Sequence, residues 1–484
     1  MGYSKETKID EYSVAISSQL FANALRWLQN PGDNSGYLVG YYNPSIGTHR
    51  FTAVICHFEF ELSSCTQLFS EENNRVDQII ENAVTRSAGI VIIRVAIPND
   101  TNILPMGLNI PVGKNVGSIS LPLIEIEVIG DSIWKSTFLQ FQNGWTGISA
   151  GAINRIVGSR LNATFDDEQR PKPEYREQYK RTVTVWGKQN HDQLARLRIG
   201  IVGLGSVGSL VAECLARMGI QRFVLVDFDE VQVHNLDRIT GAFYDDIGKL
   251  KIDVAARTIT SAATGKVIEV RKMAYAVTEE SGYLSSLDCD VVFSCVDRPW
   301  ARQVLNHIAY AHLIPVIDGG IRVRFDKNTR LFDGAEWQAH IATPHKACLQ
   351  CLGQFESSDV ETERAGLLED PSYLDGLEID HSFKQNENVF PFSMNLASLE
   401  ILQFIEMITS IGEIEGDYGS QRYSYNHGII RIDHRKCSEH CLYNQSISAA
   451  DSLFPAPVGV DHAAVGARKR QAESKRLQRD SSSS

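Results

Sequence analysis

The chain has 484 residues, of which 43% are hydrophobic and 22% are charged, and its formal net charge is −12 at pH 7. Because this length exceeds what one hydrophobic core usually covers, we expect two domains. The negative charge argues against wholesale binding to nucleic acid or to an anionic membrane, and no apolar run approaches the roughly 20 residues of a membrane-spanning helix.

The cysteine content and the first residues bear on the compartment. Nine cysteines are an odd number, and their spacing is not that of a disulfide framework. The opening residues, MGYSKETKIDEY, lack the apolar core of a secretory signal. We therefore expect a protein of the reducing cytoplasm.

Residues 1–165 are predicted to form the smaller domain, of α+β class. Apolar alternation in HRFTAVICHFEFEL (49–62) indicates a strand, and the apolar spacing in NNRVDQIIENAVTRS (73–87) indicates a helix. A polar stretch with two prolines, NATFDDEQRPKPEYREQ (162–178), is typical of an exposed linker and sets the domain boundary.

Residues 166–447 are predicted to form an α/β domain with a doubly wound, Rossmann-like, mostly parallel sheet. The strand RIGIVGLG is followed by the helical segment SVGSLVAECLARMG and the strand QRFVLVDFD, and the same order returns from DVVFSCVD to IPVIDGG. Residues 448–484 end in ARKRQAESKRLQRDSSSS, which favours a charged, disordered tail or a solvated, frayed helix over a binding arm for an acidic partner.

A glycine-rich motif, GLGSVG, lies between the first strand and its helix. It supplies Gly203, Gly205 and Gly208, so that backbone N–H groups and the positive end of the helix can face a phosphate chain. Asp227 follows 19 residues after Gly208, where a carboxylate can bind ribose hydroxyls. These features predict a nucleotide site.

The polar residues after the second strand favour ATP over NAD. Asn235, Arg238 and Lys251 can hold and neutralise a triphosphate, whereas a dehydrogenase has no general need for them. Asp297, at the end of DVVFSCVD, is placed to bind Mg²⁺. Each residue also has a structural explanation: Asp227 and Asp297 as helix caps, Asn235 in a turn, and the cations as surface charges.

Two short-spaced cysteine pairs predict one structural zinc ion. The first is Cys348 and Cys351, the second is Cys437 and Cys441, and His440 is a possible substitute ligand. Four thiolates fill a tetrahedral site, so this zinc would stabilise the fold and not react. The alternative is four unrelated buried cysteines.

The chain carries, in this order, the motifs IVGLGSVGS, VLVDFDEVQVHNLDR, GKLKIDVAAR, VVFSCVDRPWARQVLN and CLQC. In them it resembles the ThiF/MoeB-type adenylyltransferases, the superfamily that includes ubiquitin-activating enzymes, over roughly residues 175–445. The preceding YKRTVTVWGKQNHDQL resembles the family's entry helix, where an arginine reaches the nucleotide of the partner subunit, and Arg181 holds that place.

The resemblance implies a reaction, a partner and a homodimer. A small ubiquitin-like or sulfur-carrier protein would be activated at its C-terminal glycine by Mg·ATP, giving an acyl-adenylate and pyrophosphate. The implied nucleotide-binding residues are Gly203, Gly205, Gly208, Asp227, Asn235, Arg238 and Lys251, and the implied catalytic residues are Arg238, Lys251, Asp297 and Arg181. Two rival functions stay open, an NAD-dependent oxidoreductase and a non-catalytic module that binds nucleotide or carrier.

Enzymes that pass an activated carrier onward as a thioester need an exposed, activated cysteine. The region after Cys351, LGQFESSDVETERAGLLEDPSYLDGLEIDHSFKQNENVFPF, contains none. Cys214, Cys289 and Cys295 lie in apolar, loop or buried strand segments, while Cys56 and Cys65 belong to the other domain. We expect an enzyme that stops at the adenylate or transfers it to a group on another protein.

The first domain loosely resembles the JAB/JAMM metalloprotease domains that accompany some ThiF-like chains. The likeness rests on SGYLVGYYNP and GIVIIRVAIPND. A working domain would carry two histidines before the proline, where this chain has Val95-Ala96-Ile97-Pro98, so no zinc site is expected there. The resemblance implies an inactive domain that docks a carrier or partner; an unrelated α+β scaffold is the alternative.

Overall fold

The computed structural model describes residues 9–29, 37–62, 74–95, 121–129, 133–141, 145–174, 176–326, 328–329, 331–376, 388–409, 418–452 and 456–482. These residues form two compact units. The first comprises Met1–Pro171, Tyr310–Leu313 and Gln445–Pro455, and the second comprises Lys172–Ala309, Ile314–Asn444 and Ala456–Ser484. The sequence prediction treated each domain as one continuous segment, whereas two short, late segments join the first unit.

The first unit contains a nine-stranded mixed sheet with the order β7-β6-β5-β4-β2-β3-β1-β8-β9. Its strands are β1 (Glu11–Ser17), β2 (Tyr37–Ile46), β3 (Arg50–Leu62), β4 (Gly89–Val95), β5 (Leu123–Ile129), β6 (Ile133–Phe141), β7 (Trp145–Ala150), β8 (Ile153–Val157) and β9 (Leu161–Phe165). Among the described residues of this unit, the helices that lie between the strands are α1 (Ser18–Gln29) and α2 (Asn74–Thr85). The strand and the helix expected within residues 49–87 are both present.

Buried charges accompany the apolar core of this unit. The Glu11 carboxylate lies 2.7 Å from guanidinium nitrogens of both Arg50 and Arg170. Because all three side chains are buried, each charge needs the others as partners. Of the tetrapeptide expected in place of the metalloprotease histidines, residues 96–98 lie outside the described residues.

The second unit contains an eight-stranded sheet with the order β12-β11-β10-β13-β14-β15-β16-β17. Its strands are β10 (Arg198–Val202), β11 (Arg222–Val226), β12 (Glu269–Met273), β13 (Val291–Ser294), β14 (Val316–Phe325), β15 (Phe332–Ala342), β16 (Ser420–Ser424) and β17 (Ile429–Asp433). The strands from β12 to β14 are parallel, and the last three pairings are antiparallel.

Helices connect the parallel strands, as the continuous apolar strand sequences require. Strands β10 and β13 are buried along their whole length. The helices described in this unit are α3 (Lys180–Trp186), α4 (Lys188–Arg196), α5 (Ser206–Arg217), α6 (Lys251–Ala262), α7 (Glu280–Leu287), α8 (Pro299–Ala311), α9 (Ser357–Arg364), α10 (Pro371–Gly376), α11 (Phe390–Thr409), α12 (Leu442–Gln445) and α13 (His462–Ser482).

This topology positions a ligand site. The chain leaves β10 toward β11 on one side, while β13 and β14 lie on the other, so the strand order reverses between β10 and β13. In open α/β sheets, ligands bind beyond the carboxyl ends of the strands at such a reversal. The predicted Rossmann-like α/β fold is confirmed. Among the described helices, none is both long and apolar enough to cross a membrane.

The last described segment is a helix and not a disordered tail, the first of the two forms that its composition favoured being excluded there. Residues His462–Ser482 form helix α13, and Ala464 and Ala467 on it are buried. The composition of this segment, rich in charge and poor in large apolar residues, indicated solvation. The small alanines nevertheless allow one face of the helix to pack closely.

Candidate functional site

The glycine-rich loop follows β10 and leads into α5, and its three glycines meet different requirements. Gly203 has φ = 86°, in the left-handed region that favours glycine. A Cβ on Gly208 would lie 2.0 Å from the Gly203 carbonyl oxygen, so the helix approaches the loop too closely for a side chain. A Cβ on Gly205 would meet no atom of the described chain within 4 Å. The loop is therefore open at Gly205.

The Asp227 carboxylate organises the neighbouring turns. Its Oδ2 accepts a hydrogen bond from the Leu204 N–H at 2.6 Å, within the glycine-rich loop, and its Oδ1 accepts one from the Asp229 N–H at 2.8 Å. Burial raises the pKa of the Asp227 carboxyl, against the opposing effect of the Lys251 charge. One carboxylate thus links the loop after β10 to the loop after β11.

Lys251, the first residue of α6, faces three carboxylates. Its Nζ lies 2.8 Å from Asp229 Oδ2, and its side chain is only 12% exposed. Burial by itself lowers the pKa of the Lys251 ammonium. The negative charges of Asp227, Asp229 and Asp297 outweigh that effect, so the pKa of Lys251 is raised overall. Asp297 is exposed and follows β13, so the structure brings these charges to one edge of the sheet.

Asn235 and Arg238 belong to one turn. The Asn235 side-chain oxygen accepts the Gln232 N–H at 3.1 Å, and the Asn235 carbonyl accepts the Arg238 N–H at 3.1 Å. The Arg238 guanidinium donates to the His234 carbonyl at 2.6 Å and lies 2.9 Å from an Asp237 carboxylate oxygen. Asn235 is buried and shapes this turn, whereas Arg238 remains partly exposed.

A cavity of about 550 Å³ adjoins Arg238 and is otherwise mostly apolar. Its remaining lining residues are Val323, Phe325, Phe332, Asn388, Val389, Phe392 and Tyr425. The Asn388 amide donates at 2.8 Å to the Oγ of Ser206, which begins α5, and at 2.9 Å to the Oγ of Ser393. Asn388 thereby ties the wall of the cavity to the first turn after the glycine-rich loop.

Sequence reasoning missed Asp229 and Asn388. Asp229 was visible in the sequence as the second acid of VDFDE, two residues after Asp227, whereas its contact with Lys251, 22 residues later, was not. Asn388 belongs to no motif, and 182 residues separate it from Ser206. Arg181 lies exposed on α3, and its action in a partner subunit stays a prediction.

The thiol beneath the glycine-rich loop is poorly suited to nucleophilic attack. The Cys295 thiol donates to Glu400 at 3.8 Å, and burial together with the Glu400 and Asp318 carboxyls raises its pKa well above the usual range. Burial also raises the pKa of the thiols of Cys56 and Cys214, and Cys289 is buried. Thiolates are the nucleophilic form, so none of these environments activates a cysteine. Cys65 lies outside the described residues.

The two predicted cysteine pairs converge. The sulfur atoms of Cys348, Cys351, Cys437 and Cys441 all lie within 4.8 Å of one another, and no histidine joins them in the part of the chain that the structure describes. The Cys348 N–H donates to Cys437 Sγ at 3.1 Å, and the Cys351 N–H donates to Cys348 Sγ at 3.3 Å. Four sulfur donors supported by backbone N–H groups fit a tetrahedral zinc site. His440 is exposed and outside this group.

The comparison with known families agrees with the motif order and the fold. Residues 175–439, more than half of the chain, match the ThiF family. The chain belongs to the ThiF family. The matched residues begin just before α3, include the glycine-rich loop, Lys251 and Asp297, and end between the two cysteines of the second pair.

Named relatives of this ThiF family chain match it over limited segments. Ubiquitin-like modifier-activating enzyme 5 of Drosophila mojavensis is 32% identical over 130 residues, which are 24% of this chain and 32% of that protein. The tRNA threonylcarbamoyladenosine dehydratase 2 of Saccharomyces cerevisiae is 26% identical over 206 residues, which are 42% of this chain and 45% of that protein. The chain therefore spans about a third to a half of the length of these relatives.

The solved structures that match part of the chain include E. coli MccB crystallised with MccA. This structure matches with a TM-score of 0.44 and 19% sequence identity, covering 56% of the ThiF family chain and 74% of MccB. A crystal structure of E. coli MccB with ATP matches with a TM-score of 0.41 and 18% identity, covering 55% of this chain and 74% of MccB.

Proposed function

We propose that the chain catalyses the ATP-dependent adenylation of a C-terminal carboxylate on a small protein or peptide. The observation that carries the proposal is the gathering of the open glycine-rich loop, Asp227, Lys251 and Asp297 at one edge of the sheet. This set suits a nucleotide triphosphate, because it offers N–H groups and a cation for phosphates and a carboxylate for ribose. Membership of the ThiF family supports the same reaction class.

In the proposed reaction, an oxygen of the substrate carboxylate attacks the α-phosphorus of ATP. The bond between the α-phosphorus and the bridging oxygen breaks, and pyrophosphate leaves with the bond electrons. The carboxylate is already ionised near pH 7, so the step needs no general base. Catalysis therefore depends on aligning the two anionic reactants and on stabilising the charge that moves to pyrophosphate.

Each residue near the glycine-rich loop has its own role in the proposed reaction. Asp227 would hold the ribose hydroxyls, and Lys251 and Arg238 would face the departing phosphates. Lys251 is pre-positioned by Asp229, and binding of a more highly charged phosphate would compete for the same ammonium. Asn235 would act by fixing the turn that presents Arg238. A magnesium ion at Asp297 would add positive charge against the phosphates when bound.

We infer that the substrate is a ubiquitin-like or sulfur-carrier protein ending in glycine. The support is the motif set together with the family, in which ubiquitin-like modifier-activating enzymes are relatives. We further infer a cytoplasmic homodimer, in which Arg181 of one subunit acts at the nucleotide of the other. The raised pKa of Cys295 supports release or transfer of the adenylate without a thioester on that residue.

The remaining features have structural roles in this proposal. Cys348, Cys351, Cys437 and Cys441 would hold a structural zinc ion, which their mutual proximity supports. The first unit would act as an inactive, JAB-like docking domain for the carrier or a partner.

The decisive experiment is carrier-dependent exchange of labelled pyrophosphate into ATP, with small proteins that end in glycine as candidate carriers. Exchange that needs both a carrier and Asp297 supports adenylation and identifies the substrate, so Asp297→Ala is the control. Tight ATP binding without exchange for any carrier would instead indicate a non-catalytic binding module. Binding of NAD in place of ATP would indicate an oxidoreductase.

A further inference from the structure

The C-terminal helix α13 contacts a peptide group of the proposed nucleotide site. The Gln471 side-chain N–H donates to the Phe228 carbonyl oxygen at 3.0 Å. That carbonyl belongs to the peptide bond between Phe228 and Asp229. The N–H of the same peptide bond donates to Asp227 Oδ1 at 2.8 Å.

This shared peptide makes Gln471 part of the support of Asp227. A peptide group is planar and rigid, so fixing its carbonyl also fixes the direction of its N–H. The carboxylate of Asp227 accepts that N–H with one oxygen and the Leu204 N–H with the other. A helix near the end of the chain thereby helps to orient the carboxylate beside the glycine-rich loop.

A second set of contacts holds α13 at the same edge of the sheet. The Arg468 guanidinium pairs with both carboxylate oxygens of Glu279, at 2.9 and 2.5 Å, and lies 5.0 Å from the centre of the Tyr275 ring. Glu279 and Tyr275 belong to the loop between β12 and α7. Because β11 and β12 are adjacent and parallel, their following loops lie at the same edge.

The chain before α13 is fastened to that loop as well. The Thr278 hydroxyl donates to Asp461 Oδ2 at 2.6 Å, and the Gly459 N–H donates to the Thr278 carbonyl at 2.8 Å. Asp461 Oδ1 in turn accepts the Ala464 N–H at 2.9 Å, which caps the start of the helix. The helix is therefore anchored at its beginning and along the face that carries Arg468 and Gln471.

We propose that α13 is a working part of the nucleotide site, in which Gln471 is a positioning residue for Asp227 and Arg468 is the anchor that keeps it in place. The inference rests on the proposed function, since Asp227 must bind the ribose of ATP for its orientation to matter. In the absence of the Gln471 N–H, the Phe228–Asp229 peptide can rotate, and Asp227 loses one of its two directing N–H groups.

The test compares ATP with 2′,3′-dideoxy-ATP, which lacks the hydroxyls that Asp227 would bind, by isothermal titration calorimetry. Gln471→Leu removes the side-chain N–H donor and replaces the polar amide with an apolar side chain of similar size. We expect it to weaken ATP binding about fivefold, the effect of one net hydrogen bond, and to leave the weaker binding of dideoxy-ATP unchanged. Arg470→Leu, on an exposed neighbouring residue, is the matched control and should change neither value.

A second pair of variants tests the anchor. Arg468→Glu should weaken ATP binding, and combining it with Glu279→Arg should restore most of the lost affinity. If Gln471→Leu weakens the binding of ATP and of dideoxy-ATP equally, the helix only stabilises the fold and the inference is overturned. Unchanged affinity for both nucleotides would overturn it as well. If the unmodified chain binds no ATP, the proposed function itself fails and this inference fails with it. If it binds ATP normally and Gln471→Leu does too, only the inference fails.

Discussion

Gly205 and Gly208 lie three residues apart in the same motif, yet alanine at each should have a different effect. At Gly208 the new Cβ would lie 2.0 Å from the Gly203 carbonyl oxygen and 3.3 Å from the Cys295 Cβ. At Gly205 it would meet no atom of the described chain within 4 Å and would project where the loop is open. We therefore expect Gly208→Ala to destabilise the fold and Gly205→Ala to impair nucleotide binding.

These distances set the expected losses of stability and of ATP affinity. An oxygen and a carbon in ordinary contact are more than 3 Å apart, so the Gly208→Ala overlap forces the backbone to move, which costs about 1–3 kcal/mol. Replacing a glycine within a helix recovers about 1 kcal/mol, so a net loss of up to about 2 kcal/mol remains. Gly205→Ala should change stability by less than about 1 kcal/mol, the usual range for a cap position. It should weaken ATP binding at least about tenfold, because the methyl group occupies the space expected for a phosphate.

Two measurements on each variant separate the effects. Thermal unfolding without nucleotide should show a Tm lowered by up to roughly 3 °C for Gly208→Ala, given the size of the unit, and little change for Gly205→Ala. Calorimetric titration with ATP, below the unfolding temperature, should show the larger loss of affinity for Gly205→Ala. The reasoning is wrong if Gly205→Ala binds ATP normally or if it destabilises the protein as much as Gly208→Ala does.

Three further changes have defined outcomes. Lys251→Met should lower pyrophosphate exchange at least about 100-fold by removing a cation from the phosphates, while Lys249→Met, on an exposed lysine nearby, should leave exchange nearly unchanged; equal losses would contradict the assignment. Cys437→Ser should abolish a stoichiometry of one zinc per chain, measured by elemental analysis, and should lower the Tm; wild-type protein free of zinc would refute this site. Burial raises the pKa of Glu363 to about 7, so its ionisation opposes folding, and the stability it contributes when protonated is lost as the pH rises from about 4.5 to about 7. Urea unfolding at pH 5 and at pH 8 measures how much the free energy of unfolding changes with pH, and Glu363→Gln should reduce this change by up to about 3 kcal/mol. The same change in the wild type and in the variant would exclude the effect.

The sequence predicted the features that depend on neighbouring residues. Apolar strands separated by GLGSVG and a helical segment specified the strand–loop–helix unit, and Asp227 lies at the end of the next strand as expected. The paired spacing of the cysteines predicted a zinc site, because each short loop presents two sulfurs and the ion needs four; the folded path of the chain brings the second pair to the first across 89 residues. These predictions succeeded because local geometry is largely fixed by hydrogen bonding and by the periodicity of apolar residues.

Other features of the molecule depend on contacts that no local sequence pattern encodes. Charge and low apolar content favoured a disordered tail or a solvated, frayed helix, but Arg468 pairs with Glu279, 189 residues earlier, and Gln471 bonds to Phe228, 243 residues earlier. The role of Asn388 beside Ser206 depends on a contact of the same kind, across 182 residues.

The sequence alone thus determined the Rossmann-like α/β class, the glycine-rich loop and the cysteine pairs. Only the tertiary structure decided that Asp229 holds Lys251, that Asn235 shapes a turn, and that α13 supports Asp227. The physical reason is that a side chain's partner is set by the folded path of the whole backbone. Residues with ordinary local patterns acquire their roles only when that path brings them together.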